Sequence, residues 1–197
     1  MPHAVDLAAE LRAWEPSRPG QRALRDDTVA LADAVAAAGG SAADRDSGPE
    51  HVTASCFVVT RDLARVLLCF HGKGRFWVQV GGHVEPGDAS LGAAALREAR
   101  EESGVDDLVP LTTTAGVAAV VDLDRHPLAG SFGRCRVHRD VGFVAFAAAD
   151  ARPVVSDESD DVRWFDVADL PPEVPPGFPA RLSAALAEAR RLLAPAR

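Results

Sequence analysis

One stretch of the chain constrains the rest. Residues 81–105 read GGHVEPGDASLGAAALREAREESGV, two glycines and a Pro-Gly turn followed by strong helix formers that stop at a glycine. The spacing predicts a helix over Ser90 to Ser103, with Asp88 or Ser90 as N-cap and Gly104 in the C′ position. Glu98, Glu101 and Glu102 are related by i,i+3 and i,i+4 steps, so they share an arc of roughly 100° on that helix. Ala95, Leu96 and Ala99 occupy the adjacent arc and are expected to face a core.

A row of carboxylates has two readings. On a solvated face, like-charge pairs at this spacing cost only ~0.2–0.5 kcal/mol each, and the helix needs nothing more. Beside a glycine loop the same row becomes a ligand set. Gly81 and Gly82 let backbone approach a ligand closely, because no Cβ intervenes. Carboxylate and carbonyl oxygens so placed suit hard cations such as Mg2+, which can bridge to a phosphate chain and activate water.

The chain around this segment changes period. Ala4 to Trp14 and Arg22 to Ala38 carry apolar residues at helical spacing, separated by Pro16, Pro19 and Gly20, and Ser41 to Pro49 reads as a polar linker. Strands are predicted at Val52 to Thr60, Arg65 to Phe70, Phe76 to Val80, Val109 to Asp122, Val137 to Ala148 and Asp161 to Phe165. A closing helix is predicted over Pro179 to Ala194, with proline near its first position. Strands interrupted by one strong helix predict an α+β layered α/β/α domain with a mixed sheet over residues 49–197. Residues 1–48 are expected to be a helical extension and linker that packs or dimerises.

Charge and cysteine content narrow the partners. With 21 Lys+Arg against 29 Asp+Glu in 197 residues, the formal net charge is −8. That argues against a protein that tracks duplex nucleic acid, which needs clustered cations. Cys56, Cys69 and Cys135 are too few and too scattered for a disulfide framework. No targeting segment and no membrane-length apolar run are visible, so a soluble cytoplasmic protein is expected.

Residues 81–105 resemble the Nudix box, usually written as Gly, five residues, Glu, seven residues, Arg-Glu-apolar-x-Glu-Glu-x-Gly-apolar. Arg97, Glu98, Ala99, Glu101, Glu102, Gly104 and Val105 match its second half. Counting from Gly82, Asp88 stands where the first glutamate belongs, and eight residues separate it from Arg97, as after a one-residue insertion. The resemblance implies a Nudix fold and a divalent-metal-dependent hydrolase, using Mg2+ or Mn2+, that cleaves the diphosphate of a nucleoside diphosphate linked to another moiety. It implies Glu98, Glu101, Glu102 and the Gly82 carbonyl as metal ligands, and an orienting role for Arg97 toward a box carboxylate. It also implies Glu101, Glu102 or a distal carboxylate such as Glu158 as the group that accepts the water proton. A nucleotide-binding domain without turnover is the alternative, and the intact glutamate triplet favours catalysis.

Further candidate contacts are weaker. His83 in the glycine loop, His138 at the head of a strand, and Arg75 with Lys73 before another strand are candidate substrate contacts, with Arg97 grouped among them. Trp77 and Trp164 are candidates for nucleobase stacking or, more commonly for strand aromatics, for core. Cys135, His138 and Asp140 have the ligand types of a metal site, but without a CxxC companion zinc is not expected. The chain has no tyrosine and has Ala119 fifteen residues past Gly104, so it lacks the downstream residues associated with dinucleoside polyphosphate or ADP-ribose hydrolases.

Overall fold

The computed structural model describes residues 5–72, 74–128, 135–155 and 160–194. Two long strands form its axis. β1 (Glu50–Thr60) and β7 (Val137–Ala147) run parallel in unbroken register from Glu50↔Val137 to Thr60↔Ala147. Both are dominated by apolar and β-branched residues and are buried almost throughout, as a strand covered on both faces must be.

On the far side of β7 lie β6 (Val120–Pro127) and the short β5 (Val109–Pro110), both antiparallel to it. On the other side β1 has two antiparallel neighbours. β2 (Arg65–His71) pairs near its C-terminal end, and β4 (Val80–His83) pairs along Thr53 to Cys56. β2 also carries β3 (Phe76–Val78) and β8 (Asp161–Asp166), completing a mixed eight-stranded sheet.

Alternation along β1 divides the core. Val52, Ala54, Cys56 and Val58 face α3 (Leu91–Ser103), which shares this side with α1 (Leu7–Ala13) and α2 (Pro19–Ala37). Phe57 and Val59 face α4 (Phe178–Leu193), against Phe178, Leu182, Leu186 and Ala189. The α/β/α layering expected from the sequence is present. Among the described residues no helix is long and apolar enough to cross a membrane.

Several boundaries differ from the sequence reading: Gly81 to His83, expected as loop, belong to β4, and β6 runs past Asp122 to Pro127. Pro19 and Gly20 begin α2 instead of separating two helices, since a proline at the first helical position loses no hydrogen bond. The single strand expected over Phe76 to Val80 is two, interrupted at Gln79. There the buried Gln79 amide turns to Ser55 Oγ and Asp140 Oδ2, each at 3.2 Å, and the chain passes from β2 to β1. The strand expected over Val109 to Asp122 is also two, joined by a turn in which Gly116 adopts φ +78° and donates to the Thr113 carbonyl.

The N-terminal helices pack onto the sheet. The Glu10 carboxylate accepts from the Leu91 N–H at the start of α3. The Gln21 amide brackets Leu123 of β6, accepting from its N–H at 2.6 Å and donating to its carbonyl at 2.8 Å. Buried Arg139 donates to Asp27 and Thr28 of α2 and to Glu50.

Candidate active site

Helix α3 is fixed at both ends by its own sequence. Ser90 is the N-cap, its Oγ accepting from the Ala93 N–H at 3.0 Å. Gly104 closes the helix at φ +64°, and a Cβ there would lie 2.8 Å from the Val154 side chain. Leu91, Ala94, Ala95 and Ala99 bury one stripe against the sheet. The stripe sets the rotation of the helix, which presents Glu98, Glu101 and Glu102 toward the end of β4.

The three carboxylates are graded in burial. Glu98 is buried, and its carboxyl lies so close to Gly82 that a Cβ at position 82 would meet it at 2.6 Å. Glu102 is half-buried, accepting the Gly81 N–H at 2.7 Å, with Cys69 Sγ 3.9 Å away. Burial and the neighbouring Glu102 carboxylate push the Cys69 thiol far above its ordinary pKa, so it stays protonated. Glu101 is exposed and accepts from Arg97 Nη1 at 2.8 Å.

Arg97 organises the loop. Its Nε and Nη2 grip both oxygens of Asp88 at 3.1 and 3.0 Å, its Nη2 reaches the His83 carbonyl at 2.9 Å, and its Nη1 also donates to Glu98 at 3.0 Å. The Asp88 pairing, opposed by partial burial, raises the guanidinium pKa further above its already high value. Asp88 is buried and also accepts the Glu85 N–H at 2.7 Å, closing the Pro-Gly turn. The aspartate that replaces the expected glutamate thus binds the arginine and its own loop. Arg97, placed among the candidate substrate contacts by sequence, spends its donors on the protein itself.

The donor set fits a hard divalent cation. The three carboxylates offer oxygen atoms only, the donor type such ions take, and the Glu98 carboxyl has room over Gly82 because that residue has no side chain.

His83 and His138, expected as substrate contacts, lie elsewhere. Thr53 pairs with His83 and His51 with His138, so alternation turns these side chains to the face opposite α3. They meet each other and His51 there, with ring centroids 5.0 Å (His51–His83), 4.7 Å (His51–His138) and 5.9 Å (His83–His138) apart. His126 follows, 5.6 Å from His138. Burial, reinforced by neighbouring imidazoles, lowers the pKa of His51 to about 4 and of His138 to about 3. Sequence reasoning missed His51 and His126. His51 is 87 positions from His138, and only the parallel register makes them neighbours.

The remaining candidates separate clearly. Arg75 is exposed at the tip before β3, with Asp160 at 4.0 Å and the Phe70 ring beneath its guanidinium. Trp77 is core, edge-on to Phe70 and Phe165, and Trp164 donates its Nε1–H to the Ala151 carbonyl at 2.9 Å. Asp140 joins no metal-type cluster with Cys135. It accepts from Thr53, Ser55, Gln79 and Arg181, and although burial opposes its ionisation, Arg181 and the Ser55 hydroxyl hold its pKa below the usual range. Glu158 and Lys73 lie outside the described residues. An open cleft of about 520 Å³ sits at the far end of β1, lined by Thr60, Arg61, Asp62, Arg65 and Phe146, away from the carboxylates.

The family model for the NUDIX domain matches residues 49–186. A NUDIX-family hydrolase from Clostridium perfringens is 21% identical, covers 72% of this chain and 97% of its own, and superposes with a TM-score of 0.56. The MutT protein from Methanosarcina mazei Go1 is 19% identical over 72% of this chain and 96% of its own, with a TM-score of 0.55. An Ap4A hydrolase from C. elegans is 17% identical over 69% and 95%, with a TM-score of 0.55. No curated protein matches the chain. At these identities the superpositions speak for the fold.

Proposed function

The chain belongs to the NUDIX domain family, and on that premise we propose that it is a divalent-metal-dependent pyrophosphohydrolase. Its substrate is a small molecule of the nucleotide type, a nucleoside diphosphate linked to another moiety, and water attacks at phosphorus. The observation that carries this reading is the packing of the buried Glu98 carboxylate over side-chain-free Gly82, with Glu102 tied to the Gly81 N–H alongside.

Glu98, Glu101, Glu102 and the Gly82 carbonyl would hold Mg2+ or Mn2+. Such ions neutralise charge that develops on the phosphoryl oxygens and lower the pKa of bound water. The protein's own part is positioning. Arg97, anchored on Asp88, fixes the His83 carbonyl and therefore the Gly81–His83 segment, and it orients Glu98 and Glu101. Glu101 and Glu102 are the described carboxylates proposed to accept the proton of the attacking water, with Glu158 as a third. The three cysteines are free and buried, which suits the cytoplasmic setting we propose.

The test is a screen of nucleoside triphosphates, nucleotide sugars, ADP-ribose, dinucleotides and CoA with Mg2+ or Mn2+. Released phosphate and mononucleotide are scored for the wild type and Glu102→Gln together. Turnover that Glu102→Gln abolishes supports the reading, and turnover indifferent to it rejects the catalytic assignment. Nucleotide binding without wild-type turnover would make the chain a sensing domain instead.

A further inference from the structure

The imidazoles on the face away from α3 use nothing that the proposed hydrolysis requires. One ligand nitrogen from each of His51, His83 and His138 lies within 4.8 Å of the others. His51 is fully buried at the head of the central strand pair. Its Nδ1 is 3.0 Å from Cys135 Sγ, and its Nε2 has no hydrogen-bond partner among the described residues. A buried polar atom without a partner is uncommon in a native fold and calls for an explanation.

We propose that His51, His83 and His138 form a binding site for one borderline divalent transition-metal ion, Zn2+ foremost, separate from the acidic helix face. Imidazole nitrogens suit Zn2+, Ni2+ and Cu2+, whereas Mg2+ requires oxygen ligands. Nitrogens on one tetrahedral ion at ~2.0–2.1 Å stand roughly 3.4 Å apart, so the rings close on the ion by about an ångström.

Cys135 sets the tautomer. Its thiol has the carbonyls of Val137 and Pro49 at 3.5 and 3.8 Å as acceptors. With the S–H directed there, sulfur accepts from His51 Nδ1–H and Nε2 presents a lone pair. His126 stands beside His138, its Nδ1 2.8 Å from Asp124 Oδ2, and a water takes the fourth position on the ion. An ion held here would also tether His83, whose carbonyl Arg97 grips on the other side. The site does not depend on the hydrolase reading.

The test uses the untagged full chain, stripped with a chelator and titrated with Zn2+ against a chromophoric competitor. Co2+ serves as a spectroscopic substitute. The wild type should bind one equivalent tightly, above weaker binding at the carboxylates, and develop the visible absorption of tetrahedral Co2+. His138→Gln and His83→Ala should each weaken this tight Zn2+ binding by about 100-fold or more, while Glu98→Gln and Glu102→Gln lower only the weaker binding at the carboxylates. His83 is half-buried, so its variant reports on the site even where a change at His138 perturbs folding. Absence of stoichiometric Zn2+ binding, binding indifferent to both histidine changes, or binding lost in Glu98→Gln would overturn the proposal.

Discussion

The acidic helix face and the histidine cluster share one peptide bond, between Gly82 and His83, and are built in opposite ways. The carboxylates come from five consecutive residues of one helix, 98–102, and their mutual placement follows from helical periodicity alone. The imidazoles come one each from β1, β4, β6 and β7, and meet only because the sheet sets those strands in register. The first site offers hard oxygen donors, one of them exposed; the second offers nitrogen donors, one of them fully buried. A site made by local sequence survives small changes of the fold. A site made by register exists only once the sheet has formed.

The sharpest way to separate the two faces is to disable one and measure the other. Glu102→Gln is expected to lower kcat by about 10²–10⁴-fold, the usual scale for losing a positioned acid–base or charge-bearing carboxylate, in a Mg2+ assay of mononucleotide release. If the histidine variants lowered kcat as far, the two faces would be one site.

The brace between the faces comes next. Arg97→Ala leaves Asp88 buried without its partner and is expected to cost about 3 kcal/mol of folding stability in urea unfolding. Gly82→Ala, whose new Cβ would press on the Glu98 carboxylate, is expected to cost about 2 kcal/mol and to weaken apparent Mg2+ affinity. Leaving both quantities unchanged would remove the close packing argued for that glycine.

The histidine face should dominate the response to mild acid. The folded-state pKa values of His51 and His138, about 4 and about 3, lie below the unfolded value of about 6.5. The unfolded chain therefore binds more protons in this window, so stability is complete above about pH 6.5 and falls as pH drops toward the folded values. With chelator present, the wild type should lose about 2 kcal/mol more than His138→Gln between about pH 7.5 and about pH 5. Equal losses in urea midpoints would show that these rings are not held neutral by burial. The smallest effect is expected at the N-terminal helices, where Gln21→Ala removes two hydrogen bonds to Leu123 and should cost about 1–2 kcal/mol without altering turnover.

The same contrast explains what could be read from sequence. Helix α3, its Ser90 cap and its Gly104 stop are local, and so were legible, as were the strands that form the α/β/α layers. Gln79 broke the reading of Phe76 to Val80, because a buried amide chose partners on β1 and β7 that no window of sequence contains. Gly116 broke the next strand by a turn that looked like one more small residue. His83 stands out in sequence for its glycine neighbours, but which face it serves depends on its pairing with Thr53. His51 and His126 offered no local signal, since isolated histidines on strands are common. Asp88 looked like a defect in a motif, and only its two bonds from Arg97 and its turn to Glu85 reveal its use.

In the proposed reaction the carboxylates of α3 hold the divalent ions that a diphosphate requires. Anomalous diffraction from crystals grown with Mn2+ and a non-hydrolysable nucleotide tests it directly. Manganese is expected against the Glu98 and Glu102 carboxylates, beside the bound phosphates. Manganese absent from those carboxylates, with the phosphates bound elsewhere on the chain, would contradict it.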